Sequence, residues 1–221
     1  RLATGGTIEA GRLALADGLA MQVGGGLHHA FADHGEGFCL FNDVAVAVRV
    51  LRREGRCRRV AIVDCDVHQG NGTAAVFRTD PDVFTLSIHQ ANNYPAEKPP
   101  STLDVHLPDG TGDAAYLRHL EEALPAVVAW RPDLVYYLAG ADPFVDDQLG
   151  GLSLSFQGLR ARDACVFRTC RRAGVPVAVT LAGGYARRLE DTVRIHLGTL
   201  EEALSVERED RAAARAPDPG A

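Results

Sequence analysis

Val60-Ala61-Ile62-Val63-Asp64-Cys65-Asp66-Val67-His68-Gln69-Gly70-Asn71-Gly72 is a β-branched apolar run that ends in three alternating polar side chains and a glycine-flanked turn. Side chains in an extended segment repeat every second residue, so the pattern predicts Asp64, Asp66 and His68 on one side. An apolar run without internal alternation suits a strand buried on both faces, as in parallel sheets. Open α/β sheets place their chemistry at the carboxyl ends of such strands. Asp and His are also ligands suited to a divalent ion. Taken alone, one Asp-x-His pair reads better as the solvated end of a strand.

Outward from this stretch, strands and helices alternate. Thr7 to Gln22 reads as a helix ended by Gly24-Gly25-Gly26, and a Gly/Asp/His-rich loop leads to Cys39. Asn42 is expected to cap a helix whose Val44, Ala47, Val48 and Leu51 share a face. After the strand from Arg59 to Asp64 come a short β run from Val83 to Ile88, a proline-rich loop from His89 to Ser101, and a short strand from Leu103 to Leu107. Asp113 is expected to cap a helix that Pro125 kinks. Leu134 to Leu138 is a strand with Asp142 just beyond its end. Ser155 opens a helix that runs to Gly174, and a strand from Val175 to Leu181 closes on Gly183-Gly184-Tyr185. A last amphipathic helix covers Leu189 to Leu204, and the charged, Ala/Pro-rich stretch 205–221 is expected to be disordered. This order predicts a three-layer α/β/α fold with a central parallel sheet, in one domain over 1–204.

The 221 residues are 46% hydrophobic and 24% charged, enough for a sizeable core. A net charge of −6 and the lack of a basic stripe argue against nucleic acid as a direct partner. Lys98 is the only lysine, which reads as genomic composition bias. The five cysteines include no Cys-x-x-Cys and outline no disulfide framework, as in a reduced cytoplasmic protein. No apolar run is long enough to span a membrane, and the N-terminal residues do not read as a signal peptide. The chain begins at Arg1 with no methionine before Met21, as a segment of a longer sequence would. Nothing in the sequence specifies an oligomeric state.

In a parallel sheet the strand ends bearing Asp64, Asp66, His68, Asp142 and Tyr185 share one edge. One His and two Asp would leave a zinc ion with an open position, as catalytic sites require. Bound zinc brings the pKa of water to about 7, so that it can attack a carbonyl at neutral pH. His28-His29 reads as a polar loop pair, because adjacent residues of an extended segment point to opposite sides. Gly183-Gly184 reads as a tight turn, and Phe38 and Tyr94 as ordinary aromatics.

Six segments together resemble the zinc-dependent histone deacetylase family, which includes acetoin-utilisation proteins and acetylpolyamine amidohydrolases and shares the arginase/deacetylase fold. They are Gly-Gly-Leu-His-His-Ala (25–30), Gly-Phe-Cys-Leu-Phe-Asn-Asp (37–43), Asp-Cys-Asp-Val-His-Gln-Gly-Asn-Gly-Thr (64–73), Ala-Gly-Ala-Asp-Pro (139–143), Leu-Gly-Gly-Leu-Ser-Leu-Ser (149–155) and Ala-Gly-Gly-Tyr (182–185). Their order and spacing match from about Arg1 to Leu204, and the Asp-x-Asp-x-His-Gln-Gly-Asn form is most similar to class IV and bacterial members.

The resemblance implies a role for each matched residue. Asp66, His68 and Asp142 fall on the ligands of zinc, with ferrous iron as the alternative metal. His29 falls on the base that takes a proton from the attacking water, and His28 on an electrostatic neighbour paired with Asp64. Tyr185 falls on the hydroxyl that holds the developing oxyanion, and Gly183 falls on the substrate-binding surface. Gly37, Phe38 and Tyr94 fall on the walls of an acyl-lysine tunnel. Asp64 and Ser87 fall on a structural potassium site. The implied activity is hydrolysis of acyl groups from lysine side chains of proteins or from small amines. Asn71 stands where some members carry an aspartate behind the base, which implies a less basic His29. Members of the family also carry a strand and helices ahead of the segment matched here, and these complete the sheet edge and the tunnel rim. Two other readings fit the motifs less fully. A non-catalytic acyl-lysine or metal-binding module would have lost a ligand or the tyrosine, and an arginase-like binuclear manganese site would need further ligands around positions 69–73.

Overall fold

In the computed structural model, residues 1–213 are described. The chain runs α1 (Leu2–Asp17), β1 (Leu19–Met21), α2 (Asp43–Arg53), β2 (Val60–Asp64), α3 (Asn71–Phe77), β3 (Val83–Gln90), β4 (Leu103–Leu107), α4 (Asp113–Ala129), β5 (Leu134–Leu138), α5 (Phe156–Arg172), β6 (Val177–Thr180) and α6 (Leu189–Ala213). The strands form one sheet in the order β1-β6-β5-β2-β3-β4, with every neighbouring pair parallel. From β2 the chain moves outward through β3 and β4, then returns to lay β5 on the other side of β2. The strand order therefore reverses between β2 and β5, and a crevice opens at the carboxyl ends there.

Period-two alternation on a doubly covered sheet makes two cores. Val60 and Ile62 pack with Ala10, Ala14, Val48 and Leu51 of α1 and α2. Ala61 and Val63 face the other way, onto a cluster that includes Leu120 and Leu124 of α4, Val166 and Phe167 of α5 and Ile195 of α6. Each fully buried Val, Leu, Ile or Phe contributes about 1.5–3 kcal/mol. No helix among the described residues is long and apolar enough to cross a membrane. All five cysteines are free thiols.

Several boundaries differ from the sequence reading. The first helix ends at Asp17, where Gly18 takes a left-handed φ of 93°, and residues 19–21 form a strand against β6. Three residues are too few to show a period beside a helix. β3 continues through His89 and Gln90, which pair with His106 and Leu107 of β4. Gly112, not Asp113, is the N-cap of α4; the Asp113 carboxylate instead accepts from the backbone N–H (2.8 Å) and hydroxyl (2.6 Å) of Ser155. α4 runs on through Pro125. Ser155 does cap α5, accepting from the Gly158 N–H. α6 continues past Leu204 to Ala213, and Val206 is buried in the larger core, so residues 205–213 are helical rather than disordered. Positions 214–221 lie outside the described residues.

Candidate metal centre

The crevice receives its candidate ligands from loops, not from the pleat of β2. That strand stops at Asp64, and Asp66 to His68 form a bend held by carboxylate-to-backbone hydrogen bonds. Asp64 Oδ1 accepts from the Asp66 N–H at 3.1 Å, and Asp66 Oδ1 accepts from the His68 N–H at 2.9 Å. The expected convergence of 66 and 68 is present, but folded-back Asp side chains produce it in place of strand alternation.

Asp142, fully buried beyond β5, accepts from the Val67 N–H through Oδ1 at 2.9 Å, while its Oδ2 has no hydrogen-bond partner. His68 Nδ1 lies 3.1 Å from Asp66 Oδ1 and 3.4 Å from Asp142 Oδ2. The donor atoms of Asp66, His68 and Asp142 all lie within 4.8 Å of one another, and no other such group of three exists among the described residues. Gly183 completes the cradle. Its N–H donates to Asp66 Oδ2 at 2.8 Å, and a Cβ there would stand 2.4 Å from Asp142 Oδ2 and 2.7 Å from Asp66 Oδ2. A buried carboxylate oxygen without a hydrogen bond, among two oxygens and a nitrogen in a niche that excludes even a methyl group, fits a small divalent cation.

His28 and His29 occupy a turn, so the extended-loop expectation that they diverge does not hold. Their rings lie 4.0 Å apart and both line the crevice. Asp43, at the start of α2, fixes this turn by accepting from the Gly26 and Leu27 N–H groups at 3.0 and 2.7 Å. Asn42 caps α2 through Ala45 N–H and turns its amide NH₂ to the Ala30 carbonyl and the Thr73 hydroxyl. Gly70 passes too close to Asp64 for any side chain, since a Cβ would sit 2.4 Å from Oδ2.

Burial alone would depress His28. The carboxylates of Asp64, 2.6 Å from its Nδ1, and of Asp66 outweigh that and raise it to about 9. His29 has no such carboxylate against it; burial and the adjacent His28 charge lower it to about 3, and its Nδ1 lies 2.7 Å from Asn71 Oδ1. Burial also opposes a charge on His68, but Asp142 and Asp66 raise it to about 10. Burial together with the Asp66 charge raises Asp142 to about 7.

The cavity above these groups measures about 380 Å³ and is lined by His28, His29, Gly37, Phe38, Asp66, His68, Tyr94, Asp142, Gly183 and Tyr185, among others. Tyr94 sets its ring edge against His29, with centroids 4.9 Å apart, and its hydroxyl donates to Glu36. Phe38, at a left-handed φ of 64°, stands 87% exposed, so this wall is open to solvent. Tyr185 lies 6.1 Å from Phe38 between ring centroids, and its backbone is gripped at both ends: its N–H donates to Asp147 (2.7 Å) and its carbonyl accepts from the Gln148 side chain (3.0 Å). Burial and the nearby Asp142 and Asp66 charges push the Tyr185 phenol up, which keeps it a proton donor. Ser87 is the register partner of Asp64 across β2 and β3, and its hydroxyl is bonded to His89 Nδ1 at 2.9 Å.

Three supporting residues carry no local sequence signal. Glu36 receives the Asn71 amide, Asp147 holds the Tyr185 loop, and buried Arg162 of α5 donates to the carbonyls of Cys65 (3.3 Å) and Gly140 (2.6 Å). Each acts across tens of residues.

Comparison with known proteins bears on these groups. Residues 1–200 match the family model for the histone deacetylase domain. An uncharacterized protein of Picosynechococcus sp. is 48% identical over 198 residues, covering 88% of this chain and 65% of that protein. Histone deacetylase 2 of Arabidopsis thaliana is 37% identical over 201 residues, covering 87% of this chain and 52% of its own length. Among solved structures, an acetylpolyamine aminohydrolase from Burkholderia pseudomallei superimposes with a TM-score of 0.74 at 26% identity, over 89% of this chain and 60% of that one. The chain thus spans between half and two thirds of the length of these relatives. Sheet order, crevice and matched sequence lead to one conclusion: this chain belongs to the histone deacetylase family.

Proposed function

We propose that the chain carries the catalytic centre of a metal-dependent deacylase that hydrolyses acyl groups from lysine side chains or from small amines. One observation carries this reading: a three-ligand N/O cluster, an imidazole and a phenol open onto the same cavity. Asp66, His68 and Asp142 would hold zinc, or ferrous iron. Bound there, the ion supplies Lewis acidity toward a carbonyl and makes water acidic enough to ionise near neutral pH.

The chain's own residues supply the other parts. His29, neutral and with Nδ1 directed at Asn71, presents Nε2 to the cavity as the proton acceptor, and later returns that proton to the leaving amine. His28, held cationic between Asp64 and Asp66, adds positive charge beside the reacting centre. Tyr185 donates to the carbonyl oxygen as negative charge develops on it. Gly37, Phe38 and Tyr94 flank an aliphatic stem, and Gly37 can do so only as glycine, because a Cβ would stand 2.4 Å from the His29 ring. A potassium ion at Asp64 and Ser87 belongs to the same reading, as the two residues are register partners across β2 and β3. A binuclear site finds no second ligand group among the described residues.

The test is metal analysis with turnover. The purified chain is expected to bind one zinc or ferrous ion and to hydrolyse acyl-lysine peptides or acylated polyamines in a chain-length series. Asp66→Ala is expected to abolish metal binding, and Tyr185→Phe to lower kcat about 10²-fold with metal retained. Metal binding without turnover on any substrate would favour an acyl-lysine or metal-binding module. No tight site, or an Asp66→Ala chain that still binds, would contradict the proposal.

A further inference from the structure

A base at His29 must keep one ring nitrogen free of a proton and facing the cavity, so its partner at Nδ1 has to accept. A carboxylate there would always accept. Asn71 can present either its oxygen or its NH₂ to the ring after a half-turn of the amide, and on its own selects neither. The structure resolves this choice through a third side chain. Asn71 Nδ2 donates to Glu36 Oε1 at 2.8 Å, which leaves Oδ1 for His29 Nδ1 at 2.7 Å.

Glu36 is suited to enforce that orientation, because an ionised carboxylate only accepts. The Tyr94 hydroxyl donates to the same Oε1, and His34 Nε2 lies 3.4 Å from Oε2. The Tyr94 bond, with Asn71 and His34, holds the Glu36 carboxyl below the ordinary range despite its partial desolvation. The side chain of Glu36 is one-third exposed, while Asn71 and His29 are buried. A solvent-facing carboxylate thus reaches the interior through a single amide.

We propose that Glu36 is a positioning residue for the base: by accepting from the Asn71 amide it fixes His29 in the Nδ1–H tautomer with Nε2 free, and by accepting from Tyr94 it ties the cavity wall to the same relay. This inference rests on His29 as the base. It returns, one side chain further out, the carboxylate that Asn71 leaves out of direct contact with the ring. Replacing Glu36 would therefore alter the ring tautomer without touching the metal ligands.

The experiment is long-range ¹H–¹⁵N correlation of histidine side chains in the ¹⁵N-labelled, metal-free chain near pH 7, which reads tautomers directly. Wild type is expected to show His29 as a single Nδ1–H form, and Glu36→Ala a mixture of both tautomers. Asn71→Asp combined with Glu36→Ala is expected to abolish the form protonated only at Nε2, since an aspartate accepts from Nδ1–H without guidance, whether or not Nε2 also gains a proton. Tyr94→Phe is expected to leave the tautomer unchanged, which assigns the effect to the amide arm. On the metal-loaded enzyme, Glu36→Ala is expected to lower kcat about twofold to tenfold, with a smaller change in KM. A pure Nδ1–H form in Glu36→Ala, or a mixture reproduced by Tyr94→Phe alone, would overturn the proposal. A chain that turns nothing over would contradict the deacylase reading and leave the tautomer result to decide on Glu36.

Discussion

Single side chains set the tolerance of this site. Gly183 and Gly70 lie against the carboxylates of Asp66, Asp142 and Asp64 at distances no Cβ accepts. Gly183→Ala is therefore expected to spread the Asp66–Asp142 pair and weaken zinc affinity at least tenfold, the lower end of what disturbing ligand support costs. Isothermal titration checks this, and unchanged affinity would show that the niche relaxes freely. The residue scale is also where the sequence is most and least informative. The proximity of Asp66, His68 and Asp142 is legible because metal chemistry restricts residue type and because the matched motifs keep their spacing. The joint placement of His28 and His29 is not legible from local rules, since a turn pinned by Asp43 and Asn42 overrides the alternation of an extended loop. Glu36 is invisible for a similar reason: its meaning depends on Asn71 and Tyr94, distant in sequence.

At the scale of elements, α5 connects the two loops that bear the candidate ligands. Arg162 is completely buried, pairs with Asp163 and donates to carbonyls at the ends of both β2 and β5. Tyr137 and Thr199 donate to the same Asp163, at 2.5 and 2.7 Å. Arg162→Leu would leave Asp163 without its cationic partner and free two carbonyls. A loss of about 3–5 kcal/mol is expected in urea unfolding, and a loss under 1 kcal/mol would contradict this role. β2 and β5 were readable as β-rich apolar runs because a doubly covered parallel sheet demands little else of its strands. β1 was not, being three residues that continue a helical pattern, and α6 extends past Leu204 because Val206 reaches the core.

Across the whole molecule, two histidines outside the crevice couple stability to pH. Burial lowers His89 to about 4 against the attraction of Asp104, with His106 also lowering it. Burial and the Arg162 charge lower His196 to about 4. Both are neutral when folded and take up protons when unfolded below about 6.5. The unfolded chain thus binds more protons between about 6.5 and 4, so stability falls as pH falls through that window. Each imidazole contributes a slope of at most about 1.4 kcal/mol per pH unit there. Melting curves from pH 7 to 4.5 are expected to show the decline, and His89→Gln a shallower one; equal slopes would place the acid sensitivity elsewhere.

Everything proposed for this site requires Asp66, His68 and Asp142 to close around one ion in the cavity that His29 and Tyr185 share. The most direct measurement is anomalous diffraction at the zinc edge from crystals of the zinc-loaded chain. One strong peak bounded by those three side chains is expected. A peak at any other location, or none with zinc in excess, would contradict it.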